Sequence, residues 1–257
     1  MKFIGQERII RELKILLPQI KHDDLKMNFL LRGVSGYGKT LLGLRMCSYL
    51  SGSRYQYMFA DNVIAPYKDV LSIFIDEIHL LENPEFIYQW LDKKETTFIF
   101  ATNEYSDLKE PLVNRCTVYT FEDYTDNELL EIAGMYMNNS QFTKDMLWLV
   151  CLSGNKNPRR INNLCGRLNA INNITPIRNL EELNYIMENI IGIVDGIDPL
   201  CKKYLDTLTR LDTSSLETLS RVSGISKTTI QREIEPILLY KKLISISSKG
   251  RSINVNI

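Results

Sequence analysis

Short apolar runs alternate with amphipathic helical patterns over the first half of the chain. The apolar runs have the length and composition of strands that are buried on both faces, as in a parallel sheet. This alternation predicts an α/β domain with a mostly parallel sheet covered by helices on both faces. Pro18 is expected to stop or bend the first helix. The predicted strands are residues 29–31, 55–59, 72–77, 97–101 and 117–121, and the predicted helices are residues 7–17, 41–50 and 84–91.

Only helical periodicity continues after Glu122, which predicts a small helical domain. Thr125 and Glu128 form a capping-box pattern at its start. The pair Asp195-Gly196 is typical of a linker to a further domain. The predicted helices before this linker are residues 126–138, 144–153, 159–172 and 180–190.

Beyond the linker, the pattern predicts three helices and then a hairpin with a basic tip at Lys249-Gly250-Arg251. Helices followed by such a hairpin are typical of a winged helix. The helices are residues 199–211, 215–222 and 226–240, with a turn at 223–224, and the strands are residues 244–246 and 253–255. The expected domains are therefore the α/β core at 1–122, the helical domain at 123–194 and the winged helix at 195–257.

Residues 33–40 match the phosphate-binding P-loop pattern G-x-x-x-x-G-K-[ST], between a predicted strand and a predicted helix. Its glycines, Gly33, Gly36 and Gly38, allow backbone N–H groups to turn toward phosphate oxygens at the positive end of a helix. Lys39 can reach the β- and γ-phosphates, and the Thr40 hydroxyl can ligate Mg²⁺. The motif predicts a nucleoside triphosphate site, and the alternative is a glycine-rich turn that arose by chance.

Two acids, Asp76 and Glu77, end the buried strand at residues 72–77. The carboxyl ends of parallel strands are where open α/β sheets bind ligands. Asp76 is expected to hold Mg²⁺, mostly through water, and Glu77 to orient and polarise the attacking water. The alternative is that both acids only cap the next helix. That alternative does not explain why the pair follows a P-loop, so ATP with Mg²⁺ is the predicted cofactor.

Composition adds a location and one candidate partner. The chain has 257 residues, is 44% hydrophobic and carries 31 basic and 31 acidic residues, which is ordinary for a soluble protein. From residue 196 to the end, ten basic and six acidic residues leave a net charge of +4, a mild signal for nucleic acid. The five cysteines show no C-x-x-C spacing, and no apolar run is long enough to span a membrane. The expected location is the cytoplasm, without a signal peptide.

These parts, in this order, resemble the AAA+ ATPases and, among them, most closely the RuvB branch-migration motors. The resemblance covers nearly the whole chain. The segments that carry it are the N-terminal motif 4–6, the P-loop, the Walker B segment 74–79, the sensor 1 segment 101–103, the arginine-finger segment 111–115, the sensor 2 segment 157–162 and the start of the winged helix at 196–198. The sensor 2 segment is also similar to that of transposition and secretion AAA+ ATPases.

The resemblance implies roles for further residues. Ile4 lies on the adenine side, and Leu41 belongs with the nucleotide-binding residues that follow the P-loop. Asn103 becomes the polar sensor 1 residue, although it could merely end a strand. Arg115 becomes a finger for the γ-phosphate of a neighbouring subunit, rather than a solvated arginine. Arg159, directly after a proline, becomes the sensor 2 residue, because its neighbour on the helix points about 100° away.

The resemblance also bears on assembly and on a partner at a DNA junction. The resemblance implies a ring of identical subunits, with six as the expected number. RuvB proteins carry a long hairpin between Walker B and sensor 1 that contacts a DNA-junction partner. Here only residues 80–96 separate these motifs, too few for a helix plus that hairpin. The resemblance therefore describes a compact variant and does not extend to targeting through a RuvA-like partner; another protein partner at the DNA stays open.

The predicted winged helix supplies the candidate DNA contacts. Lys227 stands at the start of the predicted recognition helix, and Lys249 and Arg251 stand at the tip of the wing. Lysine and hydroxyl groups at a helix N-terminus suit phosphate contacts better than the reading of bases. The alternative is a winged helix that binds a protein partner.

Three functions are compatible with these motifs. The first is a ring-forming, RuvB-like ATPase that moves branched or duplex DNA in recombination or replication. The second is an AAA+ loader or switch, such as a clamp loader, helicase loader or transposition regulator, which uses ATP to assemble rather than to move. The third is a DNA-binding regulator with a decayed ATPase, and the complete set of catalytic positions argues against it. The missing hairpin keeps the second function open beside the first.

Overall fold

The computed structural model describes residues 3–22, 25, 27–93, 95–137 and 141–254. Its contacts divide the chain into two compact units, Met1–Ile132 with Asn157–Asn162 and Ala133–Lys156 with Asn163–Ile257. This division follows contacts and not sequence patterns, so the domain boundaries expected after residues 122 and 194 stay predictions. No helix among the described residues is long and apolar enough to cross a membrane.

A five-stranded parallel sheet forms the centre of the first unit, as the apolar runs predicted. The strands are β1 (Phe29–Arg32), β2 (Tyr55–Phe59), β3 (Ser72–Asp76), β4 (Thr97–Thr102) and β5 (Thr117–Thr120). Their order across the sheet is β2-β3-β4-β1-β5, and each neighbouring pair runs parallel. The carboxyl ends of all five strands therefore meet at one edge, where the chain leaves β1, β3 and β4 into the predicted site segments.

Helices cover this sheet on both faces. They are α1 (Glu7–His22), α2 (Lys39–Ser51), α3 (Glu85–Lys93) and α4 (Glu110–Val113), and α5 (Asp126–Tyr136) follows β5 in the chain. Successive residues of a strand point to opposite faces, so Phe29 and Leu31 pack with α1 and α2. Leu30, between them, packs in the core that includes α3. Residue 138, the predicted end of α5, lies outside the described residues.

The second unit contains α6 (Lys144–Ser153), most of α7 (Pro158–Asn172) and α8 (Leu180–Ile186), which continues into a π turn at Met187–Ile191. Side chains cap two of these helices as their sequences suggest. Thr143 accepts a hydrogen bond from the Met146 N–H, and Asn179 accepts one from the Glu182 N–H. These caps satisfy helix N–H groups that have no partner within the helix.

The last part of this unit has the predicted winged-helix order. Its elements are α9 (Pro199–Leu211), β6 (Thr213–Ser214), α10 (Leu216–Ser223), α11 (Lys227–Thr229), α12 (Glu235–Tyr240), β7 (Ile244–Ser247) and β8 (Gly250–Ile253). The strands form an antiparallel sheet in the order β6-β8-β7. Tyr204, Leu208, Leu219, Ile230 and Leu238 are fully buried in its core. Residue 255, predicted in the last strand, lies outside the described residues.

Pro18 and Pro236 each lie in a helix that differs from its predicted form. Pro18 does not stop α1, which continues to His22 because Ile20, beyond the proline, is buried in the core. The helix expected over 226–240 is interrupted by a π turn at Ile230–Ile234. Pro236 follows this turn and has no N–H for an ordinary helical bond, so the wider turn accommodates it.

Candidate nucleotide-binding site

The P-loop connects β1 to α2 in a conformation that requires glycine. Gly33, Gly36 and Gly38 have φ values of 149°, 86° and 92°, a region that side chains disfavour. A Cβ atom at Gly36 would also lie only 2.3 Å from Oδ1 of Asn157. The glycines therefore allow both the turn and its close contact with the segment that begins α7.

Lys39 is held inside this loop rather than extended into solvent. Its ammonium group donates to the carbonyl oxygens of Gly33 at 2.7 Å and Val34 at 3.0 Å, and the residue is 7% exposed. Burial lowers the pKa of Lys39, while the nearby charges of Glu77 and Asp76 raise it and that of Arg159 lowers it. A buried cation whose hydrogen bonds among the described residues go to two carbonyls is well suited to an anionic ligand.

The expected metal ligands lie together beside this lysine. Thr40 Oγ1 donates to Asp76 Oδ2 at 2.8 Å, which joins the start of α2 to the end of β3. The other oxygen, Asp76 Oδ1, accepts from the Glu77 N–H at 3.0 Å. Asp76 is 6% exposed. A hydroxyl and a carboxylate in contact offer the oxygen ligands that Mg²⁺ prefers.

Glu77 has an unusual backbone conformation at the end of β3. Its φ of 51° and ψ of 47° are left-handed, which costs energy for a residue with a side chain. Its Oε2 is buried and has no hydrogen-bond partner among the described residues, and it lies 3.4 Å from Nδ1 of His79. A buried carboxylate oxygen without a donor is available for a water molecule or a ligand.

The end of β4 contributes polar groups to the same edge. Thr102, fully buried, makes a hydrogen bond of 3.1 Å between its Oγ1 and Nδ1 of His79, and the same oxygen accepts from the Glu104 N–H. Asn103 follows it, and its Oδ1 is buried without a partner among the described residues. Sequence reasoning selected Asn103 and missed His79, whose only signal was its position two residues after Glu77.

The start of α7 is bound directly to the P-loop. The Asn157 side chain donates to the Ser35 carbonyl at 2.8 Å and accepts from the Arg159 N–H at 3.1 Å. Asn157 therefore caps α7 while it fixes the loop. The same contact brings Arg159 to the site, since its Cβ lies 3.0 Å from the Cβ position of Gly36 and its charge acts on Lys39. Sequence reasoning selected Arg159 but not Asn157.

The N-terminal segment lies against the same loop. Ile4 is 9% exposed, and the Gln6 side chain exchanges two hydrogen bonds with the backbone of Glu122, at 2.8 and 2.9 Å. Tyr124 then donates to the carbonyl of Tyr37 in the P-loop at 2.8 Å. The expected adenine-side segment is thus fixed beside the phosphate loop, and Tyr124 is a further residue that the sequence did not indicate.

Leu41, expected among the nucleotide-binding residues, lies one residue after Thr40 in α2 and is 40% exposed. Its backbone is part of the first turn of the helix that follows the P-loop. An exposed apolar side chain at the start of this helix is open to contact with a ligand, so its role stays a prediction.

Arg115 lies at the opposite edge of the sheet. Its carbonyl accepts from the side chain of Asn28, which precedes β1, at 3.3 Å, whereas the P-loop follows β1. A strand of four residues spans about 13 Å. The guanidinium binds Asp92 at 2.9 and 3.2 Å and the Pro111 carbonyl at 2.9 Å. It is therefore not brought together with the P-loop of its own chain.

The candidate DNA contacts differ in how they are held. Lys227 is exposed and lies 3.3 Å from Glu217, and Lys249 is exposed at the wing. Arg251 instead binds Glu235 at 2.8 Å, with side-chain exposures of only 16% and 4%. This ion pair argues against Arg251 as a phosphate contact, because its charge is already neutralised inside the winged helix. The hairpin pattern could not reveal a partner sixteen residues away.

These observations together define the class of the protein. A parallel sheet in the order 2-3-4-1-5, a P-loop after β1, an acidic pair after β3 and a winged helix are the parts of an AAA+ protein with a C-terminal winged helix. The RuvB C-terminal winged helix domain family matches residues 194–256. The chain as a whole is similar to RuvB proteins over nearly its full length, at low identity.

The relatives support this conclusion at low identity. The Holliday junction branch migration complex subunit RuvB of Mycoplasmopsis synoviae is 26% identical over 295 positions, which cover 98% of this chain and 92% of that protein. RuvB of Thermosipho melanesiensis is 24% identical, with 97% and 92% covered. A solved structure, the Thermotoga maritima RuvB Holliday junction branch migration motor, has a TM-score of 0.83 at 23% identity and covers 98% of this chain and 93% of that one.

Proposed function

We propose that this chain hydrolyses ATP with Mg²⁺ and uses the energy to move DNA, as a ring of identical subunits. The observation that carries the proposal is the group around the P-loop. A buried lysine, a hydroxyl–carboxylate pair, an unpartnered carboxylate oxygen and an arginine at a helix start surround a single loop. The relationship to proteins named as branch migration subunits supports DNA as the substrate.

The residues have distinct tasks in this proposal. Lys39 and Arg159 bind phosphate oxygens, and Thr40 and Asp76 hold Mg²⁺, which neutralises charge that develops on the phosphates. The described residues contain no group of three acidic, histidine or cysteine side chains that could hold a metal. This fits Mg²⁺, which usually keeps several waters and takes further ligands from phosphates. Ile4 and Leu41 contribute to the nucleotide pocket.

Glu77 and Asn103 position the attacking water. Both have a buried side-chain oxygen without a partner among the described residues. Glu77 orients the water and accepts its proton, and Asn103 holds the water relative to the phosphate. The strained backbone at Glu77 directs its side chain toward this position, a use of strain that is common at active sites.

Assembly follows from the position of Arg115. Because the P-loop and Arg115 lie at opposite edges of one sheet, the guanidinium acts on the phosphate bound to a neighbouring subunit. Arginine fingers supplied in this way are worth about 10³–10⁵ in rate. The closed ring, with six subunits as the expected number, gives every P-loop a neighbour.

The winged helix binds DNA through phosphates in this proposal. Lys227 and Lys249 are the side chains that carry it, together with the N-terminal amides of the helix capped by Ser226. Arg251 is left out because it is paired with Glu235. Phosphate contacts hold DNA without selecting a sequence, which suits a motor that moves along it.

A loader or switch that assembles without moving DNA is the second candidate. Its support is the short connection between α3, which ends at Lys93, and β4, which begins at Thr97. The relatives align over 295 positions although this chain has only 257 residues, so they carry insertions that it lacks. Strand exchange on a synthetic four-way junction, measured with and without ATP, distinguishes the two functions. The motor is expected to exchange strands when it hydrolyses ATP, whereas the loader is not expected to exchange them.

The Glu77→Gln variant tests the chemistry. It is expected to bind ATP and to lose most turnover, by about 10²–10⁴-fold, the usual contribution of a general base. Glu82→Gln, the same change at an exposed position nearby, is the matched control and is expected to keep its rate. ATPase rate and nucleotide affinity are measured on both purified variants. Near-normal turnover of Glu77→Gln would remove Glu77 from the mechanism.

A further inference from the structure

Asp92, near the end of α3, grips the guanidinium of Arg115 from one side. Its two carboxylate oxygens accept from Nε at 2.9 Å and from Nη2 at 3.2 Å, a bidentate pair. Nη1 donates to the Pro111 carbonyl at 2.9 Å, and the cationic carbon lies 4.9 Å from the ring centre of Tyr88. Three residues from two helices, α3 and α4, thus fix the orientation of this cation.

This grip leaves part of the guanidinium unused. An arginine side chain has five N–H groups, and three of them donate to Asp92 and Pro111. The other two have no partner among the described residues, and the side chain of Arg115 is 34% exposed. The guanidinium is thus fixed by contacts on one side, while its two other N–H groups are accessible to a ligand from outside the chain.

We propose that Asp92 is a positioning residue for Arg115, which presents the two free N–H groups to a phosphate on the neighbouring subunit. The inference rests on the proposed function, in which Arg115 acts on the next subunit. Arginine normally loses much rotamer freedom when it binds a phosphate. Asp92 restricts the Arg115 side chain before the neighbouring subunit binds, so the guanidinium meets the phosphate in a fixed orientation.

The alternative arrangement is a lock, in which Asp92 competes with the phosphate and restrains activity. A lock would have to occupy the N–H groups that the phosphate needs. Asp92 instead uses Nε and one hydrogen of Nη2, which leaves the second hydrogen of Nη2 available. The geometry therefore favours presentation of the finger over its inhibition.

The test compares variants of the full-length protein with a matched control. Asp92→Ala removes the grip, and Asp92→Glu restores a carboxylate there. Glu85→Ala is the control, because Glu85 on the same helix pairs with Lys109 at 2.5 Å, is similarly exposed and does not bind Arg115. We expect kcat for ATP to fall about 10–100-fold in Asp92→Ala, the scale of a misplaced catalytic group. KM should be unchanged, Asp92→Glu should recover part of the rate, and Glu85→Ala should stay within twofold.

Two further measurements separate positioning from a structural role. In an Arg115→Ala background, Asp92→Ala should have no additional effect on kcat, because the side chain that Asp92 positions is already absent. In mixtures, Asp92→Ala subunits should regain turnover with Lys39→Ala subunits, since some interfaces then combine an intact P-loop with an intact finger. A purely structural defect would be independent of Arg115 and would not be rescued.

Several results would overturn the inference. An Asp92→Ala rate equal to or above that of the unmodified protein would make the grip irrelevant or inhibitory. An equal loss in the Arg115→Ala background would make it structural. Failure of the proposed function is a different result, since Arg115→Ala would then itself keep normal turnover whatever Asp92→Ala does.

Discussion

The ion pair between Arg251 and Glu235 gives the sharpest prediction for stability. Glu235 begins α12, and its carboxylate accepts from Arg251 Nε at 2.8 Å and from the hydroxyl of Tyr204 at 3.1 Å. Tyr204 is fully buried and Glu235 is 3% exposed. Among the residues that the structure describes, Arg251→Ala would leave this buried carboxylate with one neutral donor, the hydroxyl of Tyr204.

The expected cost follows from this burial. Removing one partner of a buried ion pair typically destabilises a protein by about 3–5 kcal/mol, because the remaining charge is uncompensated. The Tyr204 hydroxyl keeps one hydrogen bond to Glu235, so we expect a value at the lower end, about 3 kcal/mol. Lys249→Ala, two residues earlier on the exposed wing, should stay within about 0.5 kcal/mol.

Amide hydrogen exchange measures this loss within the winged helix itself. A loss of about 3 kcal/mol corresponds to exchange roughly 150-fold faster at amides that open only when this part unfolds. Peptides from α9, which contains Tyr204, are the ones to follow. Replacing Arg251 and Glu235 together by Leu and Met should restore much of the protection, because an apolar pair needs no compensation.

The opposite result would refute the reasoning clearly. If Arg251→Ala changed exchange in α9 by less than about fivefold, about 1 kcal/mol, the pair would behave as an exposed one. Arg251 would then return as a candidate for contact with DNA. If the double replacement were less protected than Arg251→Ala alone, the buried charge would not be the cause of the loss.

Two further predictions concern the P-loop and the wing. Asn157→Ala should cost about 1 kcal/mol of stability through the lost cap and should also weaken ATP binding, measured by titration, because Asn157 fixes Ser35. Asn179→Ala loses an equivalent cap without a P-loop contact, so unchanged ATP affinity is expected there, and an equal loss in both variants would contradict the argument. Lys249→Ala should weaken binding to duplexes of different sequence equally and lower the slope of log affinity against log salt by about one unit. Lys21→Ala, the same charge change in α1, should leave the slope unchanged, and a Lys249→Ala slope equal to that of the unmodified protein would remove this contact.

Local patterns predicted the fold and the centre of the candidate site. The apolar runs before Gly33 and Asp76 are each continuous in sequence. The P-loop follows the first run directly, and the pair Asp76-Glu77 follows the second. Hydrophobic patterns therefore predicted the strands, and short motifs at their ends predicted the P-loop and the acidic pair, without knowledge of the tertiary structure. The winged-helix order was predicted for the same reason, since each of its elements is short and continuous.

Contacts between distant segments could not be predicted in this way. Asn157 binds Ser35 across 122 positions, and Asp92 binds Arg115 across 23. Nothing near Asp92 in the sequence distinguishes it from a solvated side chain, and the sensor 2 segment that begins at Asn157 does not reveal the contact of Asn157 with Ser35. Arg251 shows the same limit of local patterns, because a basic hairpin tip suggested exposure while the fold supplies a buried partner, Glu235.

The placement of Arg115 at one edge of the sheet and the P-loop at the other has a consequence for assembly. Under the proposed function, each subunit supplies the P-loop of one catalytic centre and the arginine finger of another. An open row of subunits always has one centre fewer than its members, and a lone subunit has none. Only a closed ring has as many complete catalytic centres as subunits. Activity per subunit should therefore rise with protein concentration and level off once rings are complete. A subunit defective in both Lys39 and Arg115 would silence two centres when it enters a ring.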